Sequence, residues 1–221
     1  MKNQTIIEKL SEIILSLKKS HPIRVGIDGI DASGKPFLAD TLAECIEKQG
    51  KPVIRAAIDG FHKPRAERYK QGKDSPEEYY ADSFDYINLR EKLLEPLGDK
   101  GDKRYHTAVF DFRTDAPVFS SEQVAPSDAI LIFDGVFLLR TEIAHSWDYC
   151  IYVDIDFEEG LRRAMKRDLP LFGSAEAVEE RYTKRYYPGQ LLYLEEVNPK
   201  KKANVIVENT DFYHPTLVFP L

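Results

Sequence analysis

Seven residues constrain this chain more than any others: Gly29-Ile-Asp-Ala-Ser-Gly34-Lys35, which fit the spacing G-x-x-x-x-G-K. They follow a β-rich run, Ile23-Arg-Val-Gly-Ile-Asp28, and precede a segment at 35–48 where Leu38, Leu42, Cys45 and Ile46 recur at helical spacing. A strand, a glycine-rich loop and a helix in that order make an anion cradle. Successive backbone N–H groups turn inward around phosphate oxygens. The helix N-terminus adds its partial positive charge, and Lys35 neutralises the β/γ-phosphate region. On this reading the nucleotide is held by Gly29, Ile30, Asp31, Ala32, Ser33, Gly34, Lys35, Pro36 and Phe37.

The rest of the chain alternates in the same way. Residues 5–18 predict an amphipathic helix, with Ile6, Ile7, Leu10, Ile13, Ile14 and Leu17 on one face. A second strand is expected at 53–58, a long functional loop at 62–82, a helix at 86–97 and a turn at 98–102. The aromatic text at 104–119 predicts a hairpin. Unbroken apolar runs at 129–133 and 149–155 suit strands buried on both faces. Charged helices follow at 157–168 and 175–186, and a last strand at 203–207. Strands alternating with helices predict an α/β doubly wound, largely parallel sheet in one domain over 1–221. The N-terminal helix occupies 1–20 of that domain, and a lid region 160–190.

Composition narrows the class. With 43% hydrophobic and 31% charged residues the chain is of ordinary globular make-up, not disordered. The apolar stretch at 6–17 is interrupted by Glu8, Lys9 and Glu12, so neither a membrane span nor an export signal is expected. Cys45 and Cys150 sit in apolar-periodic segments and read as reduced core residues, which suits a cytoplasmic protein. A formal net charge of −6 argues against a general nucleic-acid binder. The basic residues cluster locally, as a pocket for a small anion requires.

One position departs from the motif. Phosphate loops end in Ser or Thr, whose hydroxyl binds Mg²⁺, and here the residue is Pro36. Proline is acceptable in a first helical turn. It nevertheless removes the metal-binding hydroxyl and one backbone N–H of the cradle. A charge-assisted hydrogen bond is worth roughly 1.5–3 kcal/mol, so a loss of nucleotide affinity of about tenfold or more is expected. Substitution by Ser33, or an extra water on the metal, stays open.

Three further segments specify more than a nucleotide. They are Ile58-Asp59-Gly60-Phe61-His62, the run from Ser75-Pro-Glu-Glu to Asp82-Ser-Phe84-Asp85, and Ile130-Leu-Ile-Phe-Asp134-Gly135-Val136-Phe137. At these residues the chain resembles the uridine kinase and phosphoribulokinase family of P-loop kinases, its bacterial uridine kinase-like members above all. The Asp59-Gly-Phe-His62 text is also similar to pantothenate kinases. The resemblance spans about residues 22–208. It implies a P-loop kinase fold with a five-stranded parallel sheet, flanking helices and a mobile lid. It also implies ATP as donor, Mg²⁺, and transfer to an alcohol, foremost the 5′-hydroxyl of a uridine- or cytidine-like nucleoside.

Asp59 matches the acid that takes the acceptor proton. The chemistry agrees independently, because a carboxylate at the carboxyl end of a strand beside the loop lies at the usual site crevice, and an attacking alcohol needs a base. Asp134 resembles the Walker B acid, which would hold Mg²⁺ through water; the family often has Glu there. Asp59 is the second metal candidate. Arg163 and Arg167 resemble the lid arginines that neutralise the moving phosphoryl group. For the acceptor, His62 and Lys63 follow the base directly, and Asp85 is either a ribose-diol contact or a helix N-cap. The 104–119 segment resembles a base-recognition hairpin, with Tyr105, His106, Phe110 and Phe112 as candidate stacking rings and Asp111 and Arg113 as polar contacts. A second basic pair, Arg181 and Arg185, reads as a solvated helix face.

Two alternatives stay open: a kinase-derived nucleotide- or metabolite-binding module impaired by Pro36, and a kinase of pantothenate or another small alcohol. A GTPase-like switch would carry N-K-x-D, which Asn198-Pro-Lys-Lys201 does not match. The expected partner is a small hydroxyl-bearing molecule, not nucleic acid or a membrane, with homo-oligomerisation left open.

Overall fold

The phosphate loop springs from the middle of a six-stranded sheet. The computed structural model describes residues 2–220, so the two ends of the expected domain lie outside the described residues. The large-sheet strands are β1 (Ile23–Gly29), β2 (Val53–Ala57), β7 (Ile130–Asp134), β8 (Tyr149–Asp154), β9 (Val205–Glu208) and β10 (Thr216–Val218). Between β2 and β7 lie four short strands, β3 (Arg104–Tyr105), β4 (Phe110–Asp111), β5 (Ala116–Pro117) and β6 (Gln123–Val124). The sheet order is β10-β9-β8-β1-β7-β2. Five strands run parallel and β10 pairs antiparallel with β9, one edge strand more than the resemblance implied. β1 has a later strand on each side, so the chain leaves it at a topological switch point, where ligand crevices form.

Helices cover both faces. On one, α1 (Lys2–Ser16) and α2 (Lys35–Glu47) bring Leu10, Ile14, Leu42 and Ile46 onto Val25, Ile132 and Ile151. On the other, Leu131, Phe133, Phe61, Leu89, Phe137 and Tyr193 form a second core. β7 feeds both cores with alternate side chains, which is why it reads as an unbroken apolar run.

Four expectations need correction. The segment 62–82 is not a plain loop: it holds α3 (Arg65–Arg68) and α4 (Pro76–Asp82). The start of α4 was legible, because Ser75 caps Glu78 N–H at 3.1 Å and Pro76 occupies the first turn. The expected hairpin is two-tiered and longer. β4 pairs with β5, and outside them β3 pairs with β6, so it closes at Val124 and not at 119.

The helix expected to end at 186 runs on. α5 (Tyr86–Leu89) and α6 (Phe157–Arg167) precede α7 (Leu169–Phe172) and α8 (Ala175–Arg181). A π-helical turn, Tyr182–Tyr186, then leads directly into α9 (Tyr187–Val197). Pro188 cannot donate into the ladder of the preceding turn, and the wider turn just before it absorbs the break. The same turn overturns the solvated reading of Arg185, which is only 1% exposed. Its guanidinium donates to the carbonyls of Arg68 and Ser75 at 2.8 and 3.0 Å, faces Glu78 at 3.8 Å and lies over the Tyr69 ring. A helical period alone cannot tell a charged face turned to water from one turned into a neighbouring segment.

Candidate active site

The loop after β1 has the backbone that a cradle needs. Gly29 has φ +150°, and a Cβ there would stand 2.4 Å from the Val153 carbonyl oxygen. Gly34 has φ +98° and caps α2, with the Asn209 amide 2.8 Å from where a Cβ would be. Lys35 folds back over the loop and its Nζ donates to the Ile30 carbonyl at 2.7 Å. Burial lowers its pKa, while the carboxylates of Asp31, Asp134 and Asp28 act to keep it charged. The buried Ser33 hydroxyl has no hydrogen-bond partner among the described residues, an unmet polar group that phosphate oxygens would satisfy. Beside Gly34 opens a cavity of about 260 Å³ between Phe37, Leu38, Ile7, Val207 and Phe212, an apolar slot of the kind that takes a flat ring.

Beneath the loop sits a carboxyl that sequence reading passed over. Asp28 is fully buried and accepts from Gly29 N–H at 2.8 Å and from the Tyr193 hydroxyl. Burial pushes its pKa up to about 6. Between about 6 and the ordinary value of 3.8 the folded protein holds this proton more tightly than the unfolded chain. The group therefore adds stability as the pH falls through that window, and the gain is lost as the pH rises past the folded pKa. We expect Asp28→Asn to abolish roughly 2–3 kcal/mol of extra stability on going from about pH 7 to about pH 4. Urea unfolding of both proteins across that range checks it. An equal slope in the two would be the contrary result.

The acidic side chains fall into distinct settings. Asp59 lies in the 3₁₀ turn Ile58–Phe61 that caps β2. Its carboxylate accepts no hydrogen bond from a described residue and opens to the cleft. Surrounding protein, and then the charge of Asp31, raise its pKa; Lys35, Arg167 and Arg113 pull the other way. Asp31, inside the loop, is held by the Tyr79 hydroxyl at 2.8 Å and the Gln190 amide at 2.6 Å. It thereby ties the loop to α4 and α9.

Asp134, at the end of β7, is buried and accepts from Arg55 of β2 at 2.5 Å. Burial raises its pKa and the Arg55 charge opposes that rise. Among the described residues no cluster of three or more His, Cys, Asp or Glu side chains could hold a metal. Position 36 offers no oxygen, and Asp134 is taken by a guanidinium. The loop therefore fits the phosphates of a nucleotide, while the two positions that ordinarily hold the ion, residue 36 and the acid at the end of β7, do not fit a directly bound magnesium.

The lid arginines divide. Arg167 forks onto Asp168 at 2.7 and 2.9 Å and reaches the Tyr182 hydroxyl at 3.0 Å, and its charge is felt at both Lys35 and Asp59. Arg163 turns to the other side of the loop. It meets Glu159 at 2.6 Å, the Asn209 carbonyl at 2.6 Å and the Ser33 carbonyl at 3.3 Å, and lies over Phe212. The structure thus places Arg163 beside the apolar slot and Arg167 against Asp168 and Tyr182, its charge within electrostatic reach of Lys35.

On the acceptor side, His62 lies between Phe84 and Phe112 in tilted contact, with ring centroids 4.6 and 4.8 Å away. Its Nδ1 meets the Asp59 carbonyl at 3.0 Å, and desolvation lowers its pKa to about 4, so the ring is neutral near pH 7. The hairpin is docked on the base: Val109 N–H donates to the Gly60 carbonyl at 2.8 Å, and Asp115 accepts from Arg65 N–H at 2.8 Å. Lys63 pairs with Asp82 at 2.8 Å. Asp85 caps α5, accepting from Asn88 N–H at 2.9 Å, so its N-cap role is the one seen. The expected stacking rings divide: Tyr105 and Phe110 are buried, with the Tyr105 hydroxyl on Gln123 at 2.8 Å. Phe112 lies in the turn just beyond the β4–β5 ladder and is only partly buried, with Arg113 over it. Asp28, Arg55, Tyr79, Gln190 and Tyr193 were missed, and only the two charges inside apolar strands, Asp28 and Arg55, carried a signal in the sequence.

A glycine-rich loop and lysine at a sheet switch point, with an open carboxylate on the neighbouring strand, define the P-loop phosphotransferase class of architecture. The profile of the phosphoribulokinase / uridine kinase family matches residues 24–211, and the chain belongs to that family. It is 28% identical to a uridine kinase of Leuconostoc citreum (strain KM20) over 194 residues, 84% of this chain and 87% of the relative. It is 29% identical to uridine-cytidine kinase B of Dictyostelium discoideum over 190 residues, 85% and 74% of the two chains. Among solved structures it is similar to one described as a possible uridine kinase from Bacillus stearothermophilus. The TM-score there is 0.75 at 26% identity, over 93% of this chain and 99% of the other. No helix among the described residues is long and apolar enough to cross a membrane.

Proposed function

We propose that the protein is an ATP-dependent kinase for the 5′-hydroxyl of a uridine- or cytidine-like nucleoside. The observation that carries this reading is Asp59: an unpartnered carboxylate between the phosphate loop and the paired rings of His62 and Phe112. In the reaction the acceptor oxygen bonds to the γ-phosphorus as the bond to the β-phosphate oxygen breaks, and ADP leaves. Asp59 takes the hydroxyl proton. Lys35 and Arg167 stabilise the charge that spreads over the transferred group. The ring of Phe112, with Arg113 and neutral His62, supplies the wall against which a pyrimidine lies. The apolar slot beside Gly34 takes the donor base, with Arg163 at its rim. Nucleotide and nucleoside substrates, and the free thiols of Cys45 and Cys150, suit a cytoplasmic setting.

The test is an acceptor panel read as ADP release. Uridine or cytidine is expected to drive ADP formation above the acceptor-free rate. ADP formation with pantothenate or a phosphorylated pentose, and none with nucleosides, would move the acceptor assignment. ATP binding without turnover on any acceptor would make the protein a nucleotide-binding module, the reading that Pro36 favours.

A further inference from the structure

Beside the phosphate loop, Arg55 joins the acid at the end of β7 to the helix that carries Pro36. Arg55 and Asp134 lie on adjacent strands, where Arg55 pairs with Ile132 and Ala57 with Asp134. Alternation therefore puts both side chains on the same face of the sheet. That face is the one covered by α2, since Ile130 and Ile132 pack there with Leu42 and Ile46. On α2, Pro36 and Asp40 are four residues apart and share a side. The Arg55 guanidinium spans the gap, with Nε on Asp40 at 2.8 Å and a terminal nitrogen on Asp134 at 2.5 Å. A positive charge thus stands between the helix face that carries position 36 and the acid at the end of β7, where a P-loop kinase would ordinarily place a divalent ion.

We propose that Arg55 is a built-in cation of the donor site, neutralising Asp134 in place of the ion that Pro36 can no longer help to bind. A buried carboxylate beside a triphosphate has to be compensated. With a hydroxyl at position 36, the metal and its waters do this. With proline there, the guanidinium does it permanently. ATP then enters with any Mg²⁺ held by its own phosphates and water, and its affinity depends little on that ion. The inference rests on the assignment of the loop as an ATP site.

The test is calorimetric binding of ATP, in EDTA and in excess Mg²⁺. For the wild-type protein the two dissociation constants are expected to differ by less than about tenfold. Arg55→Gln is expected to weaken binding in EDTA by about ten- to a hundredfold, the worth of a charge-assisted hydrogen bond, and Mg²⁺ should restore much of it. The double variant Arg55→Gln/Asp134→Asn, with neither charge, should bind ATP in EDTA several-fold more tightly than Arg55→Gln alone. That result separates charge compensation from a merely structural loss. Three outcomes overturn the proposal: wild-type binding tightened about tenfold or more by Mg²⁺, Arg55→Gln unchanged in EDTA, or a double variant as weak as the single one. A folded wild-type protein that binds no ATP in either condition overturns the kinase reading as well.

Discussion

Asp59→Asn is expected to lower kcat by about 10²–10⁴-fold, the usual worth of a positioned general base, with the acceptor KM changed little. Asparagine keeps the size and the hydrogen-bonding edge of the side chain but cannot take a proton. No described residue depends on the carboxylate for a hydrogen bond, so folding and nucleotide binding should survive. The pH profile gives a second readout. The protein packed around the cleft and the nearby Asp31 charge raise the Asp59 pKa, so the base is lost to protonation at a higher pH than for an ordinary carboxylate. The wild-type kcat/KM should therefore fall on the acid side above the usual carboxylate range, and the residual rate of Asp59→Asn should lack that limb. Steady-state kinetics across the acid range decide it. An Asn variant of near-normal kcat would remove Asp59 as the base.

The second large effect is structural. Arg185→Met is expected to cost about 3–5 kcal/mol, the penalty for breaking a buried pair from one side. At about 2–4 °C per kcal/mol for a chain of this size, a melting temperature lower by roughly 10 °C follows. Methionine can fill the volume but leaves Glu78, itself 1% exposed, without its cation. It also strands the Arg68 carbonyl, to which the guanidinium donates, and removes its bond to the Ser75 carbonyl. These groups organise α3 and α4, and α4 carries Tyr79 to Asp31 of the phosphate loop. A rise in acceptor KM alongside the lower melting temperature is expected. A melt within a degree or so of wild type would show that the segment stands without Arg185.

These two residues mark the limits of what the text conveys. Asp59 was legible because its chemistry is local: an acid directly after an apolar strand lands at the carboxyl edge of the sheet wherever that strand pairs. Arg185 was not, because its partners, at 68–78, lie more than a hundred residues earlier. Its burial depends on how two helical segments dock. The aromatic assignments divided for the same kind of reason. Tyr105, Phe110 and Phe112 read alike in the sequence, and the fold decided that the first two are buried while Phe112, in the turn beyond the β4–β5 ladder, is only partly so.

By itself, then, the sequence determined the loop and its lysine, the alternation of strands and helices, the buried central strands and the proline at position 36. Each of these is a property of a few contiguous residues, of backbone torsion, hydrophobic period and side-chain chemistry. Only the tertiary structure decided that Asp134 faces Arg55, that Arg163 and Arg167 serve opposite sides of the loop, and that His62 is held neutral between two phenylalanines. Those outcomes depend on which distant groups desolvate or neutralise one another. Electrostatic energy in a folded interior is set by separations in space that sequence order does not encode.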